Sequence, residues 1–285
     1  MCGRARAVFQ NDGAVATVTK ELGLSSRDRD TLGSINIQNA APGCELPILT
    51  HIPNQDPGDM NEVRDYSIQL MHYGLIPVYQ KKDEKLDWYR MFNARSEGMA
   101  SSPVFSKLLK QNLRGVLIIN GFYEWKYDEK VKSKQPYYIY SGSSSSSNSN
   151  DKKDEVDFEH KPLYLAVLFD DIWNNTLKSF TILTTSTDKC NLKSIHSRMP
   201  VILNSEQVSK WIEKGELDQQ VLVEPPLKLS YHKIHKKVGK SSCQDKDLIM
   251  KVKEPKSITS FFSPVKRKVK DEEEVVKDSN KATKK

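Results

Sequence analysis

Long apolar runs are missing from this 285-residue chain. No stretch approaches the roughly 20 consecutive apolar residues that a membrane-spanning helix needs. The first residues, MCGRARAVF, lack the apolar centre of a secretory leader. These absences predict a nuclear or cytoplasmic protein with no membrane partner. Cysteine is sparse and scattered, at Cys2, Cys44, Cys190 and Cys243, without a C-x-x-C pair. That spacing predicts four free thiols. The histidines, His51, His72, His160, His196, His232 and His235, do not supply paired zinc-ligand spacing either. Neither a metal nor an organic cofactor is expected.

Excess positive charge is also scarcer than the formal net of +7 suggests. From Lys251 to the end there are 11 Lys and Arg against 6 Asp and Glu. The preceding 250 residues carry 33 against 31. The basic excess sits mainly in the tail, where it fits a nuclear address or proximity to DNA. A DNA site in the folded part must rest on particular arginines.

The hydrophobic fraction, 37%, is low enough to predict unfolded segments. Residues 141–161 are Ser-rich, polar and of low complexity, and cannot pack a core. They read as a disordered loop within one domain of residues 1–253, with the strand candidates on either side as hairpin neighbours. Residues 254–285 read as a disordered tail. The tail has one apolar island, SITSFFSP at 257–264, and a basic run, VKRKVK at 265–270.

Short β-branched or aromatic runs bounded by turn residues predict strands at 116–120, 136–140, 162–169 and 179–185. Weaker alternation marks 66–73 and 228–234. Ser205 is a candidate cap for a helix that buries Val208, Trp211 and Ile212 and ends at Gly215. Residues 188–194 suggest a shorter one.

Position 2 carries the most pointed chemistry. Removal of Met1 would give Cys2 an α-amine and a thiol on adjacent carbons. Their unperturbed pKa values are about 8 and about 8.5, so both are partly nucleophilic near neutrality. Together they can trap an aldehyde. The amine forms a Schiff base, the thiol adds to the same carbon, and a thiazolidine closes. A lysine would stop at the Schiff base.

Four motifs follow in order: MCGR at the start, FNARSE at 92–97, GFYEW at 121–125 and HSRMPVIL at 196–203. In this arrangement the chain resembles the SOS response-associated peptidase family from Met1 to about Val252. The resemblance implies an α+β domain with an antiparallel, barrel-like β core and flanking helices. It also implies covalent attachment of Cys2 to abasic sites in single-stranded DNA, by a monomer. Asn93 would orient the amine or the substrate. Glu124 would act as acid/base, and His196 as a second proton-transfer group. Arg4, Arg95 and Arg198 would contact DNA phosphates, in a fork geometry that suits phosphate. Many relatives carry Trp before GLIP and another after it, where this chain has Tyr73 and Tyr79, which makes these tyrosines, Tyr73 first, base-stacking candidates. In the tail, Ile258, Phe261 and Phe262 have the spacing of a sliding-clamp binding peptide, although Pro255 stands where glutamine is usual.

Two other readings stay open. A terminal cysteine can also serve an N-terminal-nucleophile peptidase or amidohydrolase. Alternatively, the tail does the binding and the core is a non-catalytic replication-fork adaptor.

Overall fold

All six strand candidates become strands, but the one pairing expected among them, across the polar insert, does not form. A computed structural model describes residues 2–10, 12–51, 66–142, 161–217, 220 and 222–252, all within one unit, Met1–Val252. Residues 143–160 of the polar insert and the tail with Ile258, Phe261 and Phe262 lie outside the described residues. In chain order the strands are β1 (Ala5–Val8), β2 (Asn36–Ala40), β3 (Glu45–His51), β4 (Tyr66–Tyr73), β5 (Asn93–Arg95), β6 (Arg114–Ile119) and β7 (Gly121–Asp128). There follow β8 (Ser133–Ser141), β9 (Leu163–Ile172), β10 (Leu177–Ser186), β11 (Arg198–Pro200), β12 (Ile202–Leu203) and β13 (Leu229–Lys233). The helices are α1 (Asp12–Leu22), α2 (Ser26–Gly33), α3 (Pro103–Lys110) and α4 (Ser205–Ser209).

Five strands close on themselves in the order β10-β4-β3-β6-β9 and back to β10. This is the expected α+β fold with a barrel core. Its ladders are antiparallel except where β10 meets β4 in parallel, with Phe180 opposite Tyr73. A second sheet, β13-β8-β7-β1-β2, lies beside the barrel. Val116 to Ile119 of β6 and Leu163 to Leu168 of β9 are buried without alternation, because one face lines the barrel and the other is covered. Ala5, Phe9 and Phe122 of the second sheet's side share one core cluster with barrel residues such as Ile118 and Leu165. Burying one such large apolar side chain contributes about 1.5–3 kcal/mol.

The hairpin expected across the polar insert does not exist. β8 lies between β7 and β13 in the second sheet, whereas β9 lies between β6 and β10 in the barrel. Adjacent strand runs of similar composition carry no information about which sheet each joins. The helix expected at Ser205 is instead capped one residue earlier. Asn204 accepts from Gln207 N at 2.8 Å, and Gln207 Oε1 accepts from Asn204 N at 2.9 Å, a reciprocal capping box. Beyond Ser209 the chain continues as a π-helical turn, Lys210–Lys214, and stops as expected at Gly215, whose φ of 70° lies in the left-handed region. Of 188–194, only Asn191–Ser194 is helical, as a 3-10 segment.

The segment after β13 acts as a latch on the edge strand β2. The Gln244 side chain takes the place of a paired strand. Its Oε1 accepts from Gln38 N (2.9 Å) and Asn39 N (3.1 Å), and its Nε2 donates to Asn39 O (3.1 Å). Ile234, Val238, Leu248 and Ile249 pack against Tyr123 and Tyr138 beneath it. An edge covered this way cannot template another chain.

Gly74 ends β4 with φ +107°, and a Cβ there would sit 2.2 Å from the Trp88 carbonyl oxygen. Backbone, not a movable side chain, fills that space. Gly74→Ala should therefore lower stability by at least about 2 kcal/mol. A urea midpoint unchanged from the wild type would contradict this account of the turn.

Candidate active site around Cys2

The chain before β1 continues along β7, with Tyr123 N donating to Arg4 O at 3.0 Å. This brings Cys2, the first described residue, between the second sheet and the barrel, where it is fully buried. Its carbonyl oxygen is held by two donors from the barrel side. Asn93 Nδ2 donates to it at 3.1 Å, and the Tyr73 hydroxyl donates to the same oxygen. Asn93 opens β5, which pairs in parallel with β10. Tyr73 closes β4, and its ring stacks on Phe180 of β10 at 5.3 Å between centroids. Asn93 Oδ1 is buried without a partner, so this side chain keeps an acceptor to spare.

Glu124 lies in β7 with only 3% of its surface exposed. A surface position is what glutamate's chemistry alone would suggest. Burial pushes its carboxyl pKa up, and the positive amino terminus and His196 only partly offset this. Burial, with Glu124 second, pushes the Cys2 thiol far up as well. His196 sits just before β11. Its Nδ1 accepts from Arg198 N at 3.0 Å, which leaves the proton of a neutral ring on Nε2. Thr187 Oγ1 fixes the same residue by donating to His196 O at 2.6 Å. The four expected catalytic residues thus converge: Asn93 touches Cys2, and the charges of Cys2 and His196 are both coupled to Glu124.

The expected DNA contacts fare differently. Tyr73 is a correction: its ring is fully buried and has no face to offer a base. Its work is the hydrogen bond to Cys2. The Arg198 guanidinium is engaged internally, with both Nη atoms on Glu97 (2.6 and 2.8 Å) and one also on Thr184 O (2.6 Å). Arg4 is engaged as well, by Asn39 Oδ1 (3.1 Å), Val238 O (3.4 Å) and Gly239 O (3.2 Å). Arg95 alone of the three is exposed. Tyr79, the other aromatic expected at the bases, is 59% exposed, with the Arg90 guanidinium 6.0 Å from its ring centre; Tyr89, 58% exposed, is an aromatic that motif reading missed. Tyr89 is close enough to Tyr73 for their charges to couple. The signal was available in the aromatic and basic residues interleaved through 79–90.

A raised carboxyl holds its proton more tightly in the folded chain than in the unfolded one. Its contribution to stability is therefore full at acid pH and falls as pH rises from the unfolded value toward the raised native one. Glu124→Gln should match wild-type stability at acid pH and exceed it near neutrality. Melting curves at both pH values check this; a constant offset would contradict the raised pKa.

Comparison with known proteins gives the family. The family model described as SOS response associated peptidase (SRAP) matches residues 1–241. The chain is 34% identical over 245 residues to the rat protein named abasic site processing protein HMCES, covering 77% of this chain and 67% of that protein. It is 31% identical over 205 residues to abasic site processing protein YoqW of Bacillus subtilis, covering 70% and 82%. A crystal structure of a Bacteroides thetaiotaomicron protein superimposes with TM-score 0.61 at 20% identity, over 88% of this chain and all of that one. That last likeness speaks for the fold alone. With a family match running from residue 1 to residue 241, the chain belongs to the SOS response associated peptidase family.

Proposed function

We propose that this protein processes abasic sites, attaching itself through Cys2, once Met1 is removed, to the ring-opened sugar in single-stranded DNA. The observation that carries the reading is the two-donor grip on the Cys2 carbonyl. That carbonyl remains when Met1 is gone, so the grip still aims the new α-amine and the thiol.

The steps follow from the surroundings. The free amine attacks the sugar aldehyde, and the carbinolamine loses water to leave an imine. Each stage moves a proton to or from oxygen, a task for a positioned carboxyl whose pKa is raised. Glu124 is that carboxyl. A thiol with a strongly raised pKa is almost wholly neutral, so the amine acts first. The thiol then adds to the imine carbon as its proton is taken up and the imine nitrogen gains one. Nothing but water is lost overall. His196, with Nδ1 committed, exchanges protons through Nε2. Arg95, with Tyr79, Tyr89 and Arg90, offers the strand phosphate and base contacts.

Delivery to replication forks in the nucleus would rest on Ile258, Phe261, Phe262 and the basic run 265–270, with the clamp as partner. These belong to the proposal and lie outside the described residues.

Intact mass of the protein before and after incubation with abasic single-stranded DNA tests the reading. The expected result is loss of Met1 and a heat-stable adduct of protein plus DNA minus water, absent in Cys2→Ser. Full adduct formation by Cys2→Ser would sink it, whereas turnover of added peptides lost in Cys2→Ala would favour a peptidase. Tyr73→Phe keeps the ring but deletes one donor to Cys2. It should slow adduct formation by about tenfold, in line with one lost buried hydrogen bond, with no change in affinity for undamaged DNA. An unchanged rate would show that the phenol does not position the nucleophile.

A further inference from the structure

The folded chain's near balance of charge hides a local excess. Residues 126–136 and 233–236 contain six lysines and two carboxylates. They form the open end of the β7–β8 hairpin and the end of β13, where a groove of about 520 Å³ is lined by Lys126, Lys130, Lys233, Lys236, Gln135 and Tyr137, among others. Of the two acids, Asp128 is occupied by the turn, accepting from Lys130 N at 2.9 Å. Glu129 stands at the lip.

The groove shares a sheet face with Glu124. Directly opposed residues of an antiparallel pair point to the same side. Glu124 opposes Tyr137, Lys126 opposes Gln135, and Lys233 opposes Tyr137. These five residues therefore form one surface, with Lys126 two strand positions, about 7 Å, beyond Glu124. The inner end of this face, at Phe122, Ile139 and Leu229, packs in the main core. The opposite face, at Tyr123 and Tyr138, is covered by the latch. Among the described residues, the outer, lysine-bearing end of the Glu124 face is exposed, at Lys126 and Lys233. Its wall reaches back to the His196 loop, where Ser194 Oγ lies 3.3 Å from the Tyr231 hydroxyl and the Tyr231 ring packs edge-on to Tyr137.

We propose that this groove is a phosphate track holding the stretch of DNA strand that flanks the abasic site. The inference rests on the proposed reaction at Cys2 and extends it by naming where the strand leaves. A polyanion passing Glu124 meets lysines spaced along its path, and phosphate contacts by lysine fix a strand without reading its sequence. A lesion found in any sequence needs that kind of grip.

The test measures affinity for a long undamaged single strand across a salt series, for wild type and for the combined Lys130→Gln, Lys233→Gln and Lys236→Gln variant. A control carries Lys20→Gln, Lys107→Gln and Lys110→Gln, on exposed helix positions. Crosslinking to a trinucleotide with a central abasic residue, too short to follow the groove, reports separately on Cys2. The groove variant should flatten the log–log salt slope by roughly 2 and weaken binding about tenfold or more at physiological salt. Its trinucleotide rate should equal that of the wild type, and the control should bind as the wild type does. An unaltered slope overturns the proposal. So does an equal loss in the control, which would mean diffuse charge, or a slower trinucleotide reaction, which would mean a disturbed site. Failure of the wild type to crosslink the trinucleotide would fell the Cys2 reading instead, while the salt slope still judged the groove.

Discussion

Two hydrogen bonds converge on the carbonyl oxygen of Cys2, one from Asn93 and one from Tyr73. Each donor stands at one end of a strand that pairs in parallel with β10, Tyr73 closing β4 and Asn93 opening β5. The acceptor belongs to a segment that runs along the second sheet. The site thus exists only where the two sheets meet. A buried carbonyl left without donors costs about 1–3 kcal/mol, so the pairing is structural as well as chemical. Removing a terminal residue from such a chain does not loosen the next one, because its grip lies on the far side of the reactive atoms.

The same burial that fixes Cys2 also sets the chemistry. Desolvation raises the thiol and the Glu124 carboxyl together. Neither then carries charge readily, and each can serve as a proton donor where an exposed group would already be ionised. The arginines expected to bind DNA show the converse. Arg198 braces β11 against Glu97 and Thr184, and Arg4 braces the chain start against the latch. Charged residues beside a site can hold its walls rather than its ligand.

Much of this was legible in the sequence, for identifiable reasons. Asn93, Glu124 and His196 were found because each sits in a short word of ordered motifs. The barrel strands were found because runs such as 116–119 are β-branched and unbroken. The sheet membership of β8 and β9 was not legible, since it depends on contacts between residues far apart in the chain. Tyr73 was read as base-stacking because it stands where many relatives carry Trp. Only packing shows that Phe180 covers its ring. The lysine groove escaped notice because charge was summed along the chain, whereas the hairpin and β13 bring 126–134 and 233–236 together in space.

The latch has a consequence for the protein's synthesis. Arg4 and Asn39 are secured by main-chain oxygens of Val238, Gly239, Lys240 and Cys243, so the first residues of the chain are completed by residues some 235 positions later. At about 5–20 residues per second on the ribosome, the amino terminus emerges and waits roughly 10–50 seconds before the partners that enclose it exist. Throughout that interval the chain start lacks the two main-chain oxygens, of Val238 and Gly239, that accept from Arg4. The latch's grip on Arg4 thus forms only after the last described segment has left the ribosome.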